Sequence, residues 1–300
     1  MCECEREPTR REILRGAAVR GAAAVTVAGA ATWGLDTGAA RPSGRRTVGA
    51  DRHGINGAGA ANRGPAAASA PTVDAAAYDA TAVSGAVQVM PGLYIRPRDV
   101  WGADLPPKGD IARETTKFLL VHHTASPNDY ASARDVIRSA YAWQTGPEKG
   151  WPDVCYGFFI GRDGDVWQGR EGSLVRPVRA DATGGNQGYA QLVCLLGNFT
   201  LTAPTAAAQT SLVKVLAWLA GRDLVSLADG ATTTFVSRGS NRWPAGSVVT
   251  TPTIAGHRDM SYTACPGDAL YPLLPDLRRR ARDQFTSWRT VTRPAVRLDG

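Results

Sequence analysis

Apolar and polar positions divide the 300-residue chain into three regions. From residue 33 to residue 90 large apolar side chains are sparse, and stretches such as GINGAGAANRGPAAASAPT bury too little surface to offset their ordering entropy. That region is predicted to be a disordered linker. Beyond it the pattern changes. The apolar run KFLLVHHT (117–124) predicts a buried strand. SPNDYASARDVIRSAYAWQ predicts a helix, with Asn128 and Asp129 as caps and Val136, Ile137, Ala140, Tyr141 and Trp143 as its apolar positions. VCYGFFI (154–160) and DVWQGR (165–170) flank GRDG and predict a hairpin. AQLVCLLGNF (190–199) predicts another buried strand. Residues 204–220 predict a helix with Pro204 in its first turn and Leu212, Val215, Leu216 and Leu219 on one face. A Gly- and Thr-rich section, SRGSNRWPAGSVVTTPT, follows without a predicted element, and PDLRRRARDQF predicts a closing helix. Strands alternating with helices imply an α/β fold, a central mixed β-sheet flanked by helices in a single domain over 91–290, with 291–300 as a tail.

The first 32 residues have a different character. TRREILR (9–15) precedes the weakly apolar GAAVRGAAAVTVAGAAT, which contains an A-x-A site at Ala28-Gly29-Ala30. Paired arginines ahead of such a run predict a twin-arginine export signal over 1–32. A membrane anchor fits less well, because the run is short, glycine-rich and interrupted by Arg20. The expected protein is therefore secreted or cell-wall associated, a monomer, with no stable membrane insertion after export. The net charge of +7 suits an anionic polymer. The arginines are scattered and no nucleic-acid motif is present, so no nucleic-acid partner is expected.

Chemistry enters through scarcity. The chain has four histidines and five cysteines. Cys2 and Cys4 lie in the leader and His53 in the linker. His257 and Cys265 share one loop, TIAGHRDMSYTACPGDALYP (253–272), with Gly256 before and Pro266-Gly267 after. Imidazole nitrogen and thiolate sulfur are zinc donors, and this spacing suits two ligands on a loop with a third from elsewhere. His122 and His123 end the predicted strand and point to opposite faces, so one of them is expected to supply the third. Three protein ligands leave a fourth position for water, the pattern of a single catalytic Zn2+ ion that serves amide or ester hydrolysis. A metal-free alternative makes Cys265 a nucleophile with His257 as its base. Cys155 and Cys194 lie on two predicted strands, either as a disulfide or as two small core residues.

RDVWGA (98–103), FLLVHHTA, GWPDVCYGFFIGRDGDVWQGR (150–170), GNQGYAQLVCLLGNF (185–199) and GHRDMSYTACPGDALYPLLPDL occur in an order that resembles the zinc-dependent type 2 N-acetylmuramoyl-L-alanine amidases, a family that includes the peptidoglycan recognition proteins. The resemblance spans about residues 95–285. It implies His122, His257 and Cys265 as metal ligands. It implies catalytic roles for Tyr156, in DxxY, and for Thr263, two residues before the cysteine. The implied substrate is peptidoglycan or a muropeptide, cut between N-acetylmuramic acid and L-alanine, with Trp151, Arg170 and Asn186 as groove residues. Asp153 and Asp259 are expected to hold loops. Relatives that bind peptidoglycan without cutting it often lack the cysteine, so Cys265 favours an enzyme over a binding module. ADATGGN (180–186) departs from the family pattern A-H-x-x-G-x-N by placing Asp181 where histidine is common.

Overall fold

The computed structural model describes residues 85–184 and 188–291. The leader, the linker up to residue 84 and Asn186 lie outside the described residues. β1 (Val87–Met90) and β2 (Leu93–Ile95) form an antiparallel pair, and α1 (Asp99–Gly102) follows. Regular structure thus starts four residues before the expected boundary at 91, because Val89 packs into the core.

The main sheet is built from β3 (Phe118–His123), β4 (Phe158–Ile160), β5 (Val166–Gln168), β6 (Ala190–Leu195) and β9 (Ile254–Gly256), in the order β5-β4-β6-β3-β9. β4, β6, β3 and β9 run parallel, and β5 returns antiparallel to β4. This is the expected mixed sheet. β3 lies between β6 and β9 and is buried at all six positions, which is why it reads as an uninterrupted apolar run.

Alternation along β3 sorts its side chains between two cores. Leu119 and Val121 join Val193 and Leu195 of β6 against two helices, α3 (Ala206–Arg222) and α5 (Leu274–Val291). Phe118 and Leu120 face the other way with Leu192 and Cys194, toward α2 (Ala133–Gln144). On α3, Leu212, Val215, Leu216 and Leu219 are fully buried, as their spacing requires.

Three local expectations are corrected. α2 is capped by Ser132, whose hydroxyl accepts the Asp135 N–H at 3.3 Å, and not by Asn128 or Asp129. Asn128 is engaged across the sheet end instead, accepting from Asn198 N at 2.7 Å and donating to Asn198 O at 2.9 Å. Pro204 lies outside α3, because Thr205 supplies the cap by accepting from Ala208 N at 3.1 Å. The Gly- and Thr-rich section holds an antiparallel pair, β7 (Thr232–Val236) with β8 (Val248–Pro252), joined by a long loop. Cys155 and Cys194 are thiols in one core cluster, the second of the two readings left open for them.

Candidate metal centre

β3 and β9 end side by side, and the chemistry sits on those ends. Phe118, Leu120 and His122 occupy one face of β3, so the alternation that buries two apolar residues toward α2 delivers His122 to the same side. His123 goes to the opposite side. Its Nδ1 accepts the Phe199 N–H at 3.2 Å, and its ring lies 6.2 Å from that of Phe199.

β9 passes directly into α4 (His257–Met260), which starts with His257. The Asp259 carboxylate accepts the Gly256 N–H at 2.8 Å and the Tyr271 hydroxyl at 2.5 Å, which fixes the entry to that turn. The loop then closes on itself. Arg258 N donates to Cys265 O at 3.0 Å, and Cys265 N donates to Thr263 Oγ1 at 3.2 Å. Gly267 completes the approach with φ at +104°, and a Cβ there would stand 2.3 Å from the Phe199 carbonyl carbon. Only glycine lets the Cys-Pro-Gly turn press against the 196–199 segment this closely.

His122, His257 and Cys265 meet as a result. All three are buried, and their donor atoms lie within 4.8 Å of one another. Cys265 Sγ is 3.6 Å from His122 Nδ1, and the two imidazole rings are 4.4 Å apart. Ordinary zinc–nitrogen and zinc–sulfur bonds in a tetrahedron place N and S ~3.6 Å apart, so the donor set fits the ion. Two buried ring atoms, His122 Nε2 and His257 Nδ1, have no hydrogen-bond partner among the described residues. Burial pushes His257 down to about 3 and His122 well below the ordinary histidine range, with neighbouring imidazoles adding to the effect. Both rings are therefore neutral near pH 7 and offer lone pairs, the state a divalent cation requires.

Tyr156 stands beside this cluster, its ring 5.1 Å from that of His122. It also lines a groove of about 460 Å³ between the end of β3 and α2, together with Thr124, Tyr130 and Trp143. Those three were not predicted as site residues. Trp143 read as one more apolar position of its helix, although it packs against Cys265 rather than into a main core cluster.

The remaining predicted residues separate. Thr263 is on the ligand loop, where its hydroxyl holds the Cys265 N–H. Trp151 is half-buried against the core on the α2 side. Arg170 is buried, donating from Nη1 to Asp181 Oδ2 at 2.6 Å and to Val154 O at 3.3 Å. Asp181, the departure from the family pattern, is its counterion. Asp153 is fully buried and pairs with Arg98 at 2.8 Å, the loop-holding role expected of it.

Fold and site together define an α/β domain with a buried two-histidine, one-cysteine donor set, able to hold a metal ion, at the carboxyl ends of parallel strands. The family profile described as N-acetylmuramoyl-L-alanine amidase matches residues 112–268, and the chain belongs to that family. Human N-acetylmuramoyl-L-alanine amidase is 32% identical over 187 residues, which cover 60% of this chain and 27% of the human protein. Peptidoglycan recognition protein 1 of Bos taurus is 27% identical over 187 residues, covering 59% of this chain and 80% of that protein. The solved structure of Drosophila peptidoglycan recognition protein SD covers 61% of this chain and 93% of its own, at 24% identity and a TM-score of 0.47. The chain thus spans about a quarter of the human amidase, and its family contains both amidases and recognition proteins.

Proposed function

We propose that this domain is a zinc-dependent hydrolase that cleaves the amide between N-acetylmuramic acid and L-alanine of peptidoglycan. The observation that carries the reading is the buried His122–His257–Cys265 donor set with Tyr156 touching both it and the groove. His122, His257 and Cys265 would hold one Zn2+ ion, which supplies Lewis acidity and a water of lowered pKa. The chain's own residues do the rest. The groove beside α2 takes the stem peptide and excludes water from the scissile amide. Tyr156 is the donor placed to hydrogen-bond the carbonyl oxygen as negative charge grows on it. Thr263 acts chiefly by positioning, since its hydroxyl holds the backbone of the ligand Cys265.

The thiol-nucleophile alternative predicts an activity that a chelator leaves intact and thiol alkylation abolishes. Export through the twin-arginine signal and a monomeric state complete the proposal. The export signal rests on the paired arginines and the Ala28-Gly29-Ala30 site of residues 9–30.

The test is release of L-alanine amino groups from purified peptidoglycan by the full chain, with and without a chelator and with zinc restored. Activity abolished by chelation and recovered with zinc supports the proposal. A folded, zinc-loaded chain that binds peptidoglycan but frees no amines overturns it in favour of recognition without cleavage.

A further inference from the structure

A second pocket lies at the other end of β9. The strand leads into His257 at its carboxyl end, whereas Ile254, at its start, borders a cavity of about 170 Å³. The walls are the 227–232 loop, the start of β9 and α5. Arg278, Arg279 and Arg282 line it from the helix, and Asp229 lines it from the loop. Arg278 and Arg282 stand four apart on one helical face and Arg279 flanks them, so three arginines border one small concave space.

The three arginines differ in how they are answered. Arg279 pairs with Asp276 and, at 3.5 Å, with Asp283. Arg282 reaches Asp283 at 3.4 Å and Asp229 at 3.7 Å, and the Asp229 side chain is 98% exposed, so that pair is weak and easily exchanged. Arg278 is half-buried and has no acid within ion-pairing distance among the described residues. Its one side-chain hydrogen bond among the described residues runs from Nε to the Ile254 carbonyl at 2.7 Å. The carboxylate that acts on it at longer range is Asp259, which is already occupied by Gly256 N–H and the Tyr271 hydroxyl. A partly desolvated cation left with a single carbonyl is costly unless an anion completes it. The terminal amino groups of that guanidinium form the planar fork that matches an oxyanion bidentately.

We propose that this pocket is a binding site for a phosphate or carboxylate group, with Arg278 as the bidentate anchor and Arg279 and Arg282 as flanking cations. The site is separate from the metal donors and from the groove. It gives the basic domain a fixed contact for an anionic polymer or ligand that leaves the groove unobstructed.

The test follows the Arg278 Nε–H resonance of the full chain while inorganic phosphate is added at constant ionic strength, with acetate and chloride in parallel. Saturable shifts with phosphate or acetate, absent with chloride, are expected, and the anion that saturates first names the ligand chemistry. Arg282→Gln keeps the resonance as a reporter of the folded pocket and should weaken binding by about tenfold, the value of a charge-assisted hydrogen bond. Arg278→Met removes that reporter, so binding is read there from the backbone N–H of Gly230 in the pocket wall, and its saturation should be abolished in a chain whose zinc content is unchanged. Linear shifts alike for all three anions, or unchanged binding in both variants, would overturn the proposal.

Discussion

Cys265 Sγ lies 3.6 Å from Nδ1 of His122, although 143 positions of chain separate the two residues. The thiol also accepts the His123 N–H at 3.4 Å, so the group is oriented as well as buried. Cys265→Ser keeps the size and the hydrogen-bonding capacity and removes the soft thiolate. Zinc retained after dialysis should fall from one ion per chain to a small fraction, with the circular dichroism unchanged. Zinc added to the chelated parent should raise its melting temperature in a concentration-dependent way, and should leave the serine variant unmoved. Equal zinc retention by both chains would remove Cys265 from the ligand set.

Arg170 and Asp181 form the buried pair that answers the departure at position 181. The arginine side chain is 3% exposed and the aspartate 22%, so removing the carboxylate strands a charge inside the domain. Asp181→Ala should lower unfolding free energy by about 3 kcal/mol, the lower end for a buried pair that loses one partner. Asp181→His, which restores the residue common in the family, should destabilise to a similar degree, because a neutral imidazole does not match the guanidinium. Denaturant midpoints check both variants. Stability within 0.5 kcal/mol (about the scatter of neutral surface changes) in Asp181→Ala would show that the pair is dispensable.

The parts of this domain that were legible in sequence are those where one residue type has one use. β3 shows as FLLVHH because both of its faces are buried, and the donor set shows because so few histidines and cysteines compete for the role. Which histidine of the pair turns toward the centre followed from the family resemblance, and the alternation of Phe118 and Leu120 supplies the physical reason. The Arg170–Asp181 pair was not legible, because Arg170 reads as a groove residue and Asp181 only as a departure from the family pattern, and nothing local says that positions 11 apart meet. The β7–β8 pair was missed for a different reason. Threonines stand on both faces, only Phe235 and Val249 carry a buried apolar signal on facing positions, and the connecting loop lacks a two-residue hairpin turn. Asn128 misled as a helix cap because its bond to Asn198 is made across the sheet end, beyond any local pattern.

Leu216 tests the core that supports β3. It is fully buried on α3, within the cluster that includes Leu119, Val121 and Val193. Leu216→Ala should cost about 2–5 kcal/mol through lost burial and an unfilled cavity. The chain should still bind zinc at temperatures where it remains folded, because this core lies on the sheet face opposite His122. A loss below 1 kcal/mol would mean that the helix relaxes into the space, a smaller response than large-to-small core changes typically give.

The loop between β7 and β8 braces the segment that carries the second and third donors. Trp243 Nε1 donates to Asp259 O at 2.8 Å, and Ser240 Oγ donates to Met260 O at 2.8 Å. Asn241 accepts from Tyr262 N at 2.8 Å, and Arg242 donates to Arg258 O. Four consecutive residues thus bond the backbone of 258–262, between His257 and Cys265, without contributing a donor themselves. Such a brace limits how far the two ligands drift apart when the ion leaves. Trp243→Phe deletes one of these bonds while preserving most of the packing, and Asn241→Ala deletes the bond to Tyr262. Each should speed zinc loss to a chelator by several-fold, and the double variant by about tenfold or more, the scale of changes in groups that support metal ligands. The melting temperature of the zinc-free chain should move little, because the loop stays anchored by β7 and β8. Chelation kinetics of parent, single and double variants provide the measurement. Unchanged kinetics in the double variant would show that the Cys-Pro-Gly turn alone sets the spacing of the donors.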